Sequence, residues 1–206
     1  MTDRVLRKAT TLKYKDGDEP FIEFDSSNTH DLLVFTNQCQ VYKCKVAAFE
    51  DTKSAQLGSY LPTDLEMDAD ETVTWVIDPE DYKADVLFVF ENGRVARVAL
   101  SGYATKTNRK RLKNAIYGGS KLMYATVLKE ERDLALVSSD YRLVNFNTSL
   151  LKTKTTNSTQ GVQALTIKGS RTVTMVGTAE EFIGGKAQVE KFRAEKLPSA
   201  GAPMKE

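Results

Sequence analysis

Apolar residues in this chain come in short runs of four or five rather than at helical spacing. A polar turn and a second, alternating apolar stretch follow each run. Residues 32–35, 86–90 and 134–137 are the runs, and Val41, Val95 and Leu143 anchor the stretches after them. Between them stand Gln38-Cys39, Asn92-Gly93 and Asp140-Tyr141. Asn-Gly flanked by apolar stretches is a strong hairpin signal, because both central positions of a type I′ turn need positive φ. Three β-hairpins are therefore predicted, with a looser turn wherever Cys39 or Tyr141 stands in place of Gly93.

The hairpins are copies of one unit. Residues 31–43, 85–97 and 133–145 align without a gap, and their starts lie 54 and 48 residues apart. Such a period marks propellers and related arrays, in which no single unit can bury its own apolar face. A second segment recurs between the hairpins: residues 65–73 align on 165–173, and 12–21 follow the same plan with one extra residue. Each predicts a strand, a tight turn of Asp, Gly or Ser, and a strand into the next hairpin. A repeat thus supplies about four strands, the content of a propeller blade. Residues 3–9 match the second half of a hairpin, 93–99, so the chain is expected to begin inside a blade of a longer protein. Helical character is confined to 187–196, within a segment 186–206 expected to be a largely disordered tail.

Composition narrows the function classes. The 206 residues are 41% hydrophobic and 28% charged, as in an ordinary globular protein. No window reaches the roughly 18 apolar residues of a membrane helix and no apolar signal region opens the chain, so a soluble, cytoplasmic protein is expected. Cys39 and Cys44 are expected to be free thiols, and two cysteines with one histidine leave no zinc constellation. His30 has no nucleophile pattern around it. The acidic run Asp64, Glu66, Asp68, Asp70, Glu71 lacks the glycine and glutamate spacing of a calcium loop. Gly118-Gly119 and Gly184-Gly185 lack the Lys-Ser/Thr of a phosphate loop. Nothing here supports a stand-alone enzyme.

The formal net charge is only +1, yet cations are segregated, with five of them between Lys106 and Lys113. Segregated patches give a near-neutral protein a strongly positive face.

Several motifs together resemble the C-terminal domain of the A subunit of bacterial type IIA topoisomerases, DNA gyrase and topoisomerase IV. They are Asp31-Leu-Leu-Val-Phe-Thr-Asn37 with Gln40-Val-Tyr-Lys43, the segment Leu65-Glu-Met-Asp-Ala-Asp-Glu71, and Phe90-Glu-Asn-Gly-Arg-Val-Ala-Arg97. Tyr103-Ala-Thr-Lys-Thr-Asn-Arg-Lys-Arg-Leu112 and the linker Lys152-Thr-Lys-Thr-Thr-Asn-Ser-Thr-Gln-Gly-Val162 complete the set. The resemblance spans residues 5 to 185. It implies an all-β fold, a β-pinwheel of about four four-stranded blades that exchange strands, as an open or truncated disc. Residues 1–185 would form one domain, divided into a partial blade 1–24, blades 25–77 and 78–127, and a blade with closing strands 128–185. It also implies a non-catalytic part that binds and bends duplex DNA, with no cofactor in this chain. ATP and magnesium sites would lie in the partner B subunit, and the nucleophilic tyrosine in the N-terminal part of the A subunit. Expected partners are double-stranded DNA, the B subunit, and a second A subunit, in the bacterial cytoplasm at the nucleoid, with the isolated chain monomeric. The Gln-Arg-Arg-Gly-Gly-Lys-Gly box of gyrase is absent from the chain, which leaves gyrase and topoisomerase IV both open. A propeller-like protein-interaction scaffold is the alternative function.

Candidate DNA contacts follow from charge and repeat position. Lys106, Asn108, Arg109, Lys110, Arg111 and Lys113 form a basic loop, and Lys152 and Lys154 occupy the matching linker one repeat later. Lys and Arg neutralise phosphates, while Thr and Asn donate hydrogen bonds to them. Lys43 and Arg97, equivalent at the end of each second strand and joined by Lys45, would draw a positive track; Asn145 interrupts it. Arg94 and Arg142 flank the hairpin turns as DNA contacts or plain surface residues.

Overall fold

The computed structural model describes residues 4–5, 16–17, 19–52, 56–105, 110–184 and 186–204. In chain order the strands are β1 (Arg4–Val5), β2 (Asp31–Thr36), β3 (Val41–Lys45), β4 (Ser59–Tyr60), β5 (Val73–Ile77), β6 (Asp85–Phe90) and β7 (Arg94–Ala99). They continue as β8 (Arg111–Leu112), β9 (Leu122–Leu128), β10 (Asp133–Ser138), β11 (Arg142–Asn147), β12 (Val162–Gln163), β13 (Val173–Gly177) and β14 (Ala202–Pro203). Helix is limited to short turns, among them α1 (Leu61–Asp64) and α2 (Ala179–Ile183).

The three apolar runs became β2, β6 and β10, and the stretches after them β3, β7 and β11. Each apolar run is buried on both faces, which is why it reads as continuous rather than alternating apolar sequence. All three hairpins use one turn. Cys39, Gly93 and Tyr141 donate their N–H to Thr36, Phe90 and Ser138 at 3.1, 2.9 and 2.9 Å, and have φ of 58, 80 and 56°. This is a type I turn closed by a left-handed residue in a G1 bulge, which needs one positive φ where type I′ needs two. Cys39 and Tyr141 thus adopt the geometry of Gly93 instead of a looser turn. Gly93 carries an added demand: a Cβ there would lie 2.2 Å from the Leu165 carbonyl oxygen.

The expected strand at residues 65–67 does not form. Glu66 turns through a φ of 51°, while Leu65 and Met67 still pack on the apolar core. Leu165, in the matching segment, is reduced to an isolated bridge with Ser199. The strands after these turns, β5 and β13, do form, each with a bulge opposite the end of its hairpin partner. Residues 12–15, at the start of the third such segment, lie outside the described residues.

Each four-stranded sheet borrows its last strand from further along the chain. The orders are β5-β2-β3-β8, β9-β6-β7-β12 and β13-β10-β11-β14. The segment after each borrowed strand then donates to the hairpin turn: Ala115 to Cys39, Ala164 to Gly93 and Met204 to Tyr141, at 2.8, 2.9 and 2.8 Å. Residues 186–204 therefore carry a 3-10 helix and a closing strand in place of the disordered tail expected there. The ribbon β1–β4 pairs Arg4 with Tyr60 and Val5 with Ser59, the register in which Arg94 and Val95 meet Gln163 and Val162.

The chain divides into two compact units, residues 1–81 with 105–115, and 82–104 with 116–206. In the first, Leu32, Val34, Tyr42, Phe49 and Leu61 form the core. In the second, Leu87 and Val89 of β6 pack with Leu136 of β10 and Phe146 of β11, and Leu165 fills in from the segment after β12. Each such side chain contributes roughly 1.5–3 kcal/mol on burial.

Candidate nucleic-acid interface

Four of the arginines named from the sequence, Arg94, Arg97, Arg111 and Arg142, are engaged within the fold. Arg111, on β8, forks onto Asp68, donates from Nε to Gln40 Oε1 at 2.5 Å and lies over the Tyr42 ring. Its hydrogen bond holds the Asp68 carboxyl below the usual range. Arg142 donates to the carbonyls of Ala200 and Gly201 at 2.8 and 2.6 Å, fastening the segment that leads into β14. Arg94 reaches the Gly161 carbonyl at 3.5 Å, next to β12. These three clasp the borrowed strands to their hairpins, a use to which the rigid guanidinium fork is suited.

Arg97 is more enclosed than Arg111. Its side chain is 17% exposed, with Nε 2.6 Å from Asp85 and Nη1 2.7 Å from Glu131. The Thr148 hydroxyl and Arg97 together lower the Glu131 pKa. At the equivalent positions, Lys43 is half-buried and donates to the Thr105 hydroxyl at 3.0 Å, and Asn145 is buried. The row is thus internal or partly internal at every position, rather than a solvent-facing track. What recurs is the aspartate that opens each hairpin: Asp31 meets Lys45, Asp85 meets Arg97, and Asp133 meets Arg193. Glu131, Thr148, Thr153 and Arg193 were missed in the sequence, because each joins these pairs across the fold and no local motif marks it.

The lysines behave differently. Lys110 and Lys113 border β8 in the first unit, and Lys152 and Lys154 lie between β11 and β12 in the second. All four are exposed, and none forms an ion pair with another described residue. Lys45 is also exposed but spends its charge on Asp31 at 2.6 Å. Lys106, Asn108 and Arg109 lie outside the described residues. In both linkers, then, lysines point to solvent beside a borrowed strand that arginines hold down. Such a surface can neutralise phosphates, and no helix among the described residues is long enough to read base edges in a groove.

Other candidates resolve into structure. His30 Nδ1 sits 2.8 Å from Asp78. Glu71 is buried and accepts from Thr36 and Tyr42 hydroxyls at 2.5 and 2.6 Å. Cys39 and Cys44 are not joined in a disulfide. Among the described residues no group of three His, Cys, Asp or Glu could hold a metal ion, and no helix is long and apolar enough to cross a membrane.

No family model matches the sequence. The chain is 23% identical over 171 residues to the A subunit of DNA topoisomerase 4 from Staphylococcus aureus (strain MRSA252), covering 81% of this chain and 21% of that protein. It is 24% identical over 170 residues to the corresponding protein of Staphylococcus epidermidis, with the same coverage. Among solved structures, the E. coli ParC C-terminal domain superposes with a TM-score of 0.70 at 16% identity, over 94% of this chain and 84% of that one. A C-terminal domain of DNA topoisomerase IV superposes with a TM-score of 0.62 at 22% identity, over 72% of this chain and 47% of that one. A DNA gyrase A C-terminal domain gives 0.57 at 16% identity, over 87% and 58%. The chain resembles the A subunit of DNA topoisomerase 4 in sequence and the C-terminal domains of such proteins in fold. Its β-pinwheel fold is that of these domains, and it spans about one fifth of the length of the curated relatives.

Proposed function

We propose that this domain binds and bends duplex DNA without reading its sequence, as the non-catalytic part of a type IIA topoisomerase A subunit that presents a duplex segment for strand passage. The observation that carries the proposal is the pairing of solvent-facing lysines with clasped arginines in both strand-exchange linkers, Lys110 with Lys113 and Lys152 with Lys154. Phosphate neutralisation releases counterions, and each contact steepens the salt dependence of binding by about 0.9 in log–log slope. Bending would be sequence-tolerant, favoured by deformable steps rather than by base contacts. In the parent enzyme the B subunit would supply ATP and magnesium chemistry, and the setting would be the bacterial cytoplasm.

The test is binding of a fluorescent duplex of a few helical turns across a salt series. Replacing Lys110, Lys113, Lys152 and Lys154 together by Gln should flatten the slope by about 3.6. An unchanged slope would remove these lysines from the interface. Ligation of relaxed circular DNA in the presence of the protein then separates chiral wrapping, seen as a linking-number change, from bending alone.

A further inference from the structure

We infer that Arg97 is a positioning residue for Lys152 and Lys154 and not itself a phosphate contact, an inference that rests on the DNA-binding reading above. The strap of residues 148–154 is fastened to Arg97 from three directions. Arg97 aligns the carboxylates of Asp85 and Glu131 at 2.6 and 2.7 Å. Those carboxylates accept the strap's hydroxyls: Thr153 donates to Asp85 at 2.7 Å and Thr148 to Glu131 at 2.7 Å. Arg97 Nη1 also approaches the Thr148 and Leu151 carbonyls at 3.5 and 3.4 Å. On the backbone, Lys154 N–H donates to the Arg97 carbonyl at 2.8 Å, and Ala99 N–H to the Lys154 carbonyl at 2.9 Å. Arg97, Lys152 and Lys154 line one cavity of about 190 Å³ with Leu150, Leu151 and Val162. The guanidinium therefore faces two carboxylates and the underside of the strap, while the two lysines are exposed to solvent.

The same placement explains why this position carries Arg. A lysine ammonium is a point charge that satisfies one carboxylate, whereas a planar fork serves two carboxylates and the carbonyls between them. Lys43, at the same repeat position, meets a hydroxyl, that of Thr105, and its neighbour Lys45 takes the aspartate. In the third hairpin Asn145 is too short for the role, and Arg193 brings the guanidinium to Asp133 at 2.9 Å.

The decisive experiment compares Arg97→Lys, Asp85→Ala, the Lys152→Ala/Lys154→Ala pair and their combinations in salt-dependent duplex binding. Amide hydrogen exchange at Lys154 and Ala99 and the melting temperature are followed in parallel. Loss of two phosphate contacts should reduce the slope by about 1.8, or about 60-fold in affinity at 0.1 M salt. Arg97→Lys should weaken binding about tenfold although the charge is kept. Asp85→Ala should also weaken it, although removing an anion from a DNA-binding face ought to tighten it. Neither should add to the loss in the Lys152→Ala/Lys154→Ala background, and both should speed exchange at Lys154 and Ala99. Wild-type binding by Arg97→Lys, tighter binding by Asp85→Ala, or equal losses in both backgrounds would overturn the positioning role. If the lysine pair itself binds normally, the DNA reading of the strap fails by that result. Exchange at Lys154 and Ala99 then decides the clamp, with unchanged rates refuting it.

Discussion

Gly93 and Tyr141 occupy equivalent corners of equivalent turns within one compact unit, and glycine should be the more stable residue at both, by different margins. Tyr141 holds a φ of 56° and is 68% exposed, so little packing is lost when its side chain is removed. Releasing a left-handed L-residue yields roughly 1–2 kcal/mol, against roughly 0.5–1 kcal/mol for the greater unfolded-state freedom of glycine. Tyr141→Gly should therefore stabilise by up to roughly 1.5 kcal/mol. At Gly93, with φ 80°, Ala meets the same left-handed penalty and a Cβ 2.2 Å from the Leu165 carbonyl. Relief of that clash lifts the chain after β12 from the turn and endangers two hydrogen bonds to the Gly93 carbonyl, from Ala164 at 2.9 Å and Leu165 at 3.1 Å. At roughly 0.5–1.5 kcal/mol per bond plus the left-handed penalty, less the roughly 0.5–1 kcal/mol regained from glycine's unfolded-state freedom, Gly93→Ala should destabilise by about 1–4.5 kcal/mol. Urea unfolding followed by fluorescence and by far-ultraviolet dichroism measures both. A Gly93→Ala cost below about 1 kcal/mol, or a destabilised Tyr141→Gly, would refute the argument that the turn is shared and that its side-chain position is open at Tyr141 but closed at Gly93.

Three further outcomes are expected. Glu71→Ala should destabilise the first unit by about 2–4 kcal/mol in chemical denaturation, because it strands the buried Thr36 and Tyr42 hydroxyls. Burial raises the Cys44 thiol from 9.0 to about 12, so it stays protonated in the fold while the unfolded thiol ionises. Stability present below pH 9 is then lost progressively as pH rises towards 12, and Cys44 should resist a thiol reagent at about pH 8 until the chain is denatured. At the acid end, the Thr148 and Arg97 bonds depress Glu131, and the Arg111 bond depresses Asp68. Stability from these carboxylates is complete above their unfolded values, 4.5 for Glu131 and 3.8 for Asp68, and lost as pH falls through the folded values, which a melting series from about pH 6 to pH 2 reads directly.

The hairpins were legible because a strand's burial pattern and its turn are written within a dozen adjacent residues. The turn type was not, since Cys39 and Tyr141 look unsuited to positive φ and only the pairing of Thr36 with Gln40 and the bulge reveal the G1 form. The lysine linkers were singled out from charge, repeat position and the family resemblance, and the structure leaves Lys110, Lys113, Lys152 and Lys154 exposed. The fate of the arginines was hidden because their partners lie far along the chain: Glu131 is 34 residues from Arg97, and Gln40 is 71 from Arg111. Repeat logic marked position 97 as charged in two copies out of three, but whether that charge faces solvent or an aspartate depends on which later segment crosses it. The closing strand β14 escaped notice because Ala202–Pro203 has neither length nor apolar pattern, and two residues suffice to pair Arg142 and Leu143.

Borrowing the last strand of each sheet also sets a schedule for synthesis. Strand β7 ends at Ala99, and its closing partner β12 begins at Val162, 63 residues later. At roughly 5–20 residues per second, the edge of β7 waits roughly 3–13 s on the ribosome with its backbone groups unpaired. During that interval the next hairpin, β10 with β11, has already been made, so the first two repeats reach their final hydrogen bonding only after their successors have emerged. A ribosome stalled between Asn147 and Val162 would leave two hairpins formed and neither sheet closed, the state in which an exposed strand edge recruits a neighbouring chain.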